Sequence, residues 1–494
     1  MTASHPSREE FLEKASQGNL IPVYRDIIAD MDTPVSAFRK LADSEHGFLL
    51  ESVEKGETAG RYSFAGASPM IIFRSKKNEV QINYANGRKE SFTDPMPLDR
   101  LRDVMKQFKY VSDPALPPFC GGAVGYVSYD EIRNLEPIGA SKADDLDIPD
   151  IYFLITDSLL IFDHLRHRVK ILVNAHLDGK LTPNEAYDEA VRKITTIQQR
   201  LLRPVITSEQ TVNMQQVSVK SNFTQDDYMA AVDRCKEYIA AGDAFQIVIS
   251  QRFQIPISCD AFDVYRALRT VNPSPYMFFL KLGAVQLAGS SPEILVKVSG
   301  DDVQVRPIAG TRRRGDTKEA DMDLEKELRA DPKECAEHIM LVDLGRNDIG
   351  RVCEYGTVHA DDVMIVERYS HVMHLVSNVR GKLAKPNDSF DVFKAAFPAG
   401  TVSGAPKIRA MQIIDEVEPV SRGAYAGSVG YFSFNGNLDS CITIRTVLVK
   451  DEVAYIQAGA GIVADSNPAE EFKETINKAS AMIRAIEIAE YGME

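Results

Sequence analysis

The 494-residue chain has no tryptophan and only six cysteines, at positions 120, 235, 259, 335, 353 and 441. No two of them make a Cys-x-x-Cys pair. That excludes a zinc knuckle and a disulfide framework, so reduced thiols are expected. Positive charge is also short: 57 Lys and Arg stand against 71 Asp and Glu, a formal net charge of −14. No basic stripe offsets this, which argues against nucleic acid as a partner. An anionic ligand would be repelled by the global field, so a metal or a few arginines must bind it locally. Long apolar runs are missing too. The longest, residues 151–162, is interrupted by Thr156, Asp157 and Ser158 and falls short of the ~20 residues that span a bilayer. Residues 1–17 mix both charges and lack a signal-peptide core. No membrane association and a cytoplasmic location are the expectation.

What the chain does have is the balance of a globular protein, 44% hydrophobic and 26% charged residues, with length enough for two or three domains. A polar stretch at 204–222 separates two helix-like segments, 184–202 and 224–241, and reads as a linker. The expected division is an N-terminal region 1–203 and a second domain 223–494. Strand-like runs at 70–74, 169–173, 244–253, 277–281, 294–298, 427–434 and 441–449 follow one another without regular helical crossovers. That predicts an α+β fold of largely antiparallel sheets with helices packed outside. The glycine-rich run Cys120-Gly-Gly-Ala-Val-Gly-Tyr-Val predicts a strand lying close on another backbone.

Two segments repeat one design. In Asp331-Pro-Lys-Glu-Cys-Ala-Glu337 the aspartate can N-cap a helix and Pro332 suits its first turn. Glu334 and Glu337 then share a face. Ser466-Asn-Pro-Ala-Glu-Glu471-Phe-Lys-Glu474 does the same with Glu471 and Glu474. Two readings fit: acidic residues favouring helix N-termini, or two acidic faces converging on Mg²⁺, which is commonly held by one or two carboxylates plus substrate and water oxygens. His371 and His374 fall in a β-branched, strand-like stretch, where an odd spacing sends them to opposite faces and disfavours a paired zinc site. A structural histidine and a catalytic one both remain open at 374. Gly400-Thr-Val-Ser-Gly-Ala-Pro-Lys407 superficially resembles a phosphate loop but lacks the Gly-Lys-Ser/Thr ending, which excludes nucleotide binding there. Arg445 lies in the apolar run 441–447 and requires an anion, from protein or ligand.

Together, residues 306–315, 331–351, 367–377, 397–409, 422–431 and 457–478 resemble the chorismate-utilising enzymes, in family order, over nearly all of the chain after residue 223. Residues 48–52 and 60–64 resemble the N-terminal part of anthranilate synthase large subunits. The resemblance implies a two-lobed sandwich, with Glu337 and Glu474 as Mg²⁺ ligands and Glu334 and Glu471 as second-shell or water-mediated partners. It implies chorismate binding by Gly310, Thr311, Tyr425, Arg445, Gly459, Ala460 and Gly461. His374 and Thr401 match residues near the reacting ring, and Glu293 matches a proposed general acid.

Two positions discriminate among relatives. Isochorismate and salicylate synthases carry a lysine base where this chain has Gln246, which cannot act as a base. Aminodeoxychorismate synthases of the common type carry a lysine nucleophile where this chain has Ala309. Both absences point to 2-amination of chorismate with ammonia, and 4-amination is the alternative. No cysteine sits in a Gly-x-Cys-x-Gly elbow, so the implied ammonia source is a separate glutamine amidotransferase subunit. Glu51, Ser52, Asn272, Pro275, Tyr276 and Met277 resemble the inhibitory tryptophan site of feedback-regulated relatives; a catalytically silent tryptophan-binding regulator is the reading from another class.

Overall fold

The computed structural model describes residues 4–28, 31–41, 44–52, 60–139, 142–205, 217–368 and 372–492. Two twelve-stranded sheets carry the fold, and every pairing between their strands is antiparallel. The first sheet runs from Leu20–Ile27 through Arg168–His176, Ser158–Asp163, Tyr62–Ala67 and His46–Glu51 to Tyr276–Leu282, Val285–Ser291, Thr446–Lys450, Val453–Ile462 and Gln246–Pro256. The second runs from Ile308–Arg313 through Val372–Lys382, Asp302–Val305, Ile294–Ser299, Leu438–Ile442 and Ser428–Ser433 to Gly122–Val127, Ile151–Thr156 and Ile71–Lys76. Each sheet therefore takes strands from both sides of residues 204–222. The first sheet is joined where Glu51 pairs with Met277, the second where Val124 pairs with Tyr431.

Period-two alternation divides the core into three layers. Phe48, Phe64, Phe119, Leu154, Leu280 and Tyr431 fill the space between the sheets. Leu49, Met277, Phe279 and Ile456 point the other way, into a core closed by the helices Pro34–Leu41, Pro183–Leu201, Ala261–Val271 and Pro468–Tyr491. Val296, Val303, Val379 and Phe432 meet the helices Pro97–Lys106, Pro332–Gly350 and Ser389–Ala396 on the outer face of the second sheet. The α+β expectation of antiparallel sheets with helices outside is what the chain forms.

The local signals in the sequence have identifiable counterparts. Asp331 accepts from the Lys333 and Glu334 amides and Pro332 opens the helix Pro332–Gly350. Asn467 and Pro468 do the same for Pro468–Tyr491. The run 151–162 is two strands, one in each sheet, with Asp157 at the crossing. The expectation of one strand over 441–449 requires correction. Leu438–Ile442 belongs to the second sheet and Thr446–Lys450 to the first. Arg445 stands at the crossing with φ of 50°, a conformation that non-glycine residues seldom adopt. Both halves keep their alternation, so the sequence pattern alone could not reveal the switch of sheet.

Close backbone approach explains Gly125. A Cβ there would lie 1.9 Å from the Tyr152 carbonyl oxygen on the neighbouring strand. Gly125→Ala must spread two central strands and should cost about 3 kcal/mol, the upper end of overpacking effects. Urea unfolding checks this: a midpoint equal to wild type would show that the strands are not held at that spacing.

Candidate active site

Two chain crossings between the sheets lie side by side and bring the site together. The first passes from Val285–Ser291 to Ile294–Ser299 and carries Glu293; the second carries Arg445. They are tied by Ile442 N–H donating to Glu293 O at 3.0 Å, by Ser290 N–H to Arg445 O at 3.1 Å, and by Ser291 Oγ to Ile442 O at 2.7 Å.

Glu293 is 5% exposed. Burial pushes its carboxyl up to about 8, against opposing hydrogen bonds from Thr401 and the Ile308 backbone and the charge of Lys478. Thr401 Oγ1 donates to Glu293 Oε1 at 2.6 Å, which leaves the other oxygen to carry the proton. Thr401 belongs to the 3₁₀ turn Gly400–Val402. That turn is fixed from beneath by Arg422, 2% exposed, which donates to the Val402 and Val248 carbonyls and pairs with the buried Glu418.

His374 lies on the strand Val372–Lys382, directly opposite Thr311; His371 lies outside the described residues. His374 Nδ1 is 3.1 Å from the Gly310 carbonyl and 3.0 Å from Thr311 Oγ1. A carbonyl only accepts, so Nδ1 carries the hydrogen and Nε2 the lone pair. Burial lowers the imidazole's affinity for a second proton, and Arg445 adds to the effect. The ring is neutral near pH 7. Gly310 makes the bulge beside it, with φ of 67°.

Arg445 donates Nη1–H to the Lys478 carbonyl at 2.9 Å. Among the described residues no carboxylate forms an ion pair with it, although Glu474 acts on it at longer range. A largely buried guanidinium so placed is an anion site. Beside it, Gly459 and Gly461 lie on Val453–Ile462. Added Cβ atoms would come within 2.7 Å of Tyr425 Oη and of Gln246 Nε2, respectively. This strand pairs with Gln246–Pro256 along its length but with Thr446–Lys450 only as far as Ile456. Beyond that point, among the described residues, alternate N–H groups face an edge with no strand on it, next to Ala460, which is buried in the pairing.

Glu334 and Glu471 lie in the first turns of their two helices, with Glu337 and Glu474 three residues further along each. Glu337 accepts from Gln246 Nε2 at 3.0 Å, Glu334 from Arg312 at 3.1 Å, and Glu474 pairs with Lys478 at 2.6 Å. The carboxyls of Glu334 and Glu471 are raised, first by desolvation, with like-charge contributions from Glu337 and Glu474. Lys333 of the first helix acts on Glu471 of the second, so the two helix starts are within electrostatic reach. Among the described residues no three His, Cys, Asp or Glu side chains gather as a metal cluster. The donor set fits an ion that takes one or two carboxylates and completes its shell from substrate and water, as Mg²⁺ does. Lys478 was not singled out in the sequence. It bridges the site by donating Nζ–H to Gly459 O at 3.0 Å while pairing with Glu474.

A second site lies between the sheets, a cavity of about 620 Å³ whose lining includes Glu51, Ser52, Pro275, Tyr276 and Met277 but not Asn272. Alternation splits the residues expected there. Leu50 and Tyr276 pack with the layer between the sheets, whereas Met277 belongs to the helix-side core. The Glu51 carboxylate also turns that way: it accepts from Tyr265 at 2.6 Å and from Arg269 Nη2 at 3.1 Å. Asn272 is held in its own turn by donating to Ser290 Oγ at 3.1 Å.

A neutral buried acid, a neutral imidazole and an arginine awaiting an anion define an enzyme site for a small carboxylate. The family model described as chorismate binding enzyme matches residues 46–484. Anthranilate synthase component 1 of Acetivibrio thermocellus is 48% identical over 493 residues, covering 98% of this chain and 99% of that protein. The Pseudomonas aeruginosa protein of that name is 45% identical, with 99% and 100% covered. Anthranilate synthase component I from Streptococcus pneumoniae superposes with a TM-score of 0.78 at 37% identity, covering 92% of this chain and 98% of that one. The menaquinone-specific isochorismate synthase from Escherichia coli shares the fold, with a TM-score of 0.70 at 19% identity over 97% of this chain and 99% of that one. The chain belongs to the chorismate-binding enzymes, and within them to the anthranilate synthase component 1 family.

The raised Glu293 carboxyl makes a stability prediction. Its ordinary value is 4.5 and its folded value about 8, so between these pH values the unfolded chain releases a proton that the folded chain keeps. Fewer protons bound when unfolded means that stability falls as pH rises through this window, by up to about 1.4 kcal/mol per unit. Glu293→Gln should abolish turnover yet melt higher than wild type at pH 8, with the gain shrinking toward pH 5. A melting-temperature difference independent of pH would mean that the carboxyl is ionised in the folded protein.

Proposed function

We propose that the chain converts chorismate and ammonia into anthranilate and pyruvate. The observation that carries this reading is the buried Glu293, hydrogen-bonded by Thr401, in a site where Gln246 stands against Glu337 at the position of the relatives' lysine base. Arg445 and the amides of the 459–461 edge hold one substrate carboxylate. Glu337 and Glu474 would hold Mg²⁺, which supplies charge neutralisation for the other. Glu293 donates its proton to the departing C4 hydroxyl. Ammonia adds at C2 to give aminodeoxyisochorismate. Loss of the C2 proton and of pyruvate then aromatises the ring, with the neutral His374 placed to accept or relay a proton through Nε2.

Ammonia is nucleophilic as it arrives, so Gln246 has no base to replace. Its proposed source is a separate glutamine amidotransferase subunit, as the designation "component 1" of the relatives supports. Tryptophan is the proposed feedback inhibitor, seated in the cavity between the sheets near Ser52, Pro275 and Tyr276. The indole meets Pro275 and Tyr276, and Ser52 with neighbouring backbone carbonyls meets the ammonium group. A cytoplasmic location belongs to the same reading.

The test is the product formed from chorismate, Mg²⁺ and ammonium chloride, read by anthranilate fluorescence and chromatography. Anthranilate with pyruvate is expected; 4-amino-4-deoxychorismate in its place would give the site to the 4-aminating relatives. Glu474→Gln should raise the Mg²⁺ concentration needed for half-maximal turnover by tenfold or more, about the loss of one charged metal contact, while tryptophan still binds. An unchanged Mg²⁺ requirement would remove Glu474 from the metal site.

A further inference from the structure

The hydrogen bonds around Glu293 run in a chain with one gap. Thr401 Oγ1 donates to Glu293, and Arg422 holds the Thr401 turn through the Val402 carbonyl at 2.7 Å. Arg422 pairs with Glu418, which accepts from Ser250 Oγ at 2.8 Å. Gln457 Nε2 donates to Ser250 Oγ, also at 2.8 Å. The Ser250 hydroxyl has a single hydrogen, committed to Glu418, so toward Gln457 it only accepts. That fixes the orientation of the amide and turns Gln457 Oε1 away from Ser250. On the other side of Glu293 the chain resumes. Ile442 N–H donates to the Glu293 carbonyl, and Thr443 follows Ile442. The Thr443 N–H donates to Gly427 O and its carbonyl accepts from Ala426 N–H, which leaves the hydroxyl.

Gln457 is 8% exposed and Thr443 1%. Among the described residues neither Gln457 Oε1 nor Thr443 Oγ1 has a hydrogen-bond partner. Both residues line one small cavity of about 20 Å³, together with Arg422, Leu287 and Leu448. That volume admits a single water molecule, which stays where it finds two or more polar partners. Left unpaired, each buried oxygen would carry a desolvation cost that nothing recovers. We propose that this cavity binds one structural water, which donates to Gln457 Oε1, bonds Thr443 Oγ1 and closes the ring of hydrogen bonds around Glu293. Arg252 and Arg422 both stand in the wall, so the occupant is a neutral molecule and not a cation. Gln457 and Thr443 are then positioning residues. Through the water they tie the crossing that carries Arg445 to the turn that carries Thr401, the two supports of Glu293.

The water site stands on geometry alone, whereas its role in turnover rests on the proposed reaction. Two measurements keep them apart. A crystal structure of the full chain that shows ordered solvent should place one water about 2.7–3.2 Å from both Gln457 Oε1 and Thr443 Oγ1. A cavity without density, or the two side chains bonded directly to each other, would overturn the proposal, and this result needs no variant to fold. Thr443→Val keeps the shape and removes the hydroxyl. Its density for the water should be lost, and kcat with chorismate, Mg²⁺ and ammonium chloride should fall about fivefold, the effect of one hydrogen bond. KM for chorismate should stay the same, and Thr443→Ser should restore both the water and kcat. A wild-type kcat in Thr443→Val, or a loss that Thr443→Ser shares, would remove the positioning role. A wild-type chain that forms no anthranilate would instead defeat the proposed reaction, with the water still decided by its density.

Discussion

A proton kept on Glu293 by burial is the constraint on which the rest of the site depends. A carboxylate there would face a desolvation cost that the hydrogen bonds from Thr401 and the Ile308 backbone and the charge of Lys478 offset only in part, so the folded chain retains the acid form. That form has a cost in stability at neutral pH and above. The fold tolerates it because the surroundings are over-determined: Thr401 is hydrogen-bonded to the acid, Arg422 fixes Thr401, and Glu418 neutralises Arg422. The buried Arg422–Glu418 pair is expensive to desolvate, and it also accepts work from the strand, since Ser250 donates both N–H and Oγ–H to Glu418. The pair is what lets a polar turn sit against two sheets.

The architecture supplies the geometry through its crossings. Within a regular ladder every backbone group is committed and side chains alternate between two cores. At the points where the chain leaves one sheet for the other, both commitments lapse. Glu293 and Arg445 occupy two such points, tied together by backbone hydrogen bonds. The left-handed conformation at Arg445 is a local strain of about 1–3 kcal/mol, placed where it turns a guanidinium toward the gap between helix starts and sheet edge. Charge follows the same economy of position. In the proposed reaction a protein of net charge −14 would bind an anion through Arg445, with Mg²⁺ bringing further positive charge to the carboxylates of two helices.

Much of this was legible in the sequence because it is local. Asp331-Pro332 and Asn467-Pro468 announce helices by capping chemistry, and the three-residue spacing of the glutamates places each pair on one face. Alternation announced the strands near 71, 169, 247, 277 and 428. The misses have one cause, which is that facing depends on register set elsewhere. Glu51 and Ser52 look equally available in sequence and both line the cavity, yet the Glu51 carboxylate is taken up by Tyr265 and Arg269 of the helix Ala261–Val271. The apolar run 441–449 hides a change of sheet. Residues 204–222 read as a seam between domains, but strands from both sides pair within each sheet, since antiparallel pairing is indifferent to sequence distance. Lys478 gave no signal beyond being a lysine in an amphipathic helix.

Gln246 shows how a residue that performs no chemistry can select it. Its Nε2–H donates to Glu337 at 3.0 Å, and Gly461 leaves room for it where a Cβ would lie 2.7 Å away. A carboxamide orients the carboxylate without neutralising it, so the full negative charge of Glu337 remains for a cation. A lysine at this point would have either to pair with Glu337, competing with that cation, or to lose its proton and act as a base. The second course activates water, which needs a base to attack. The carboxamide permits neither course, leaving a nucleophile that arrives already competent. Under the proposed mechanism a carboxamide here would thus leave Glu337 free to hold a metal and remove the base for water attack, by hydrogen-bond geometry rather than by any change in the fold.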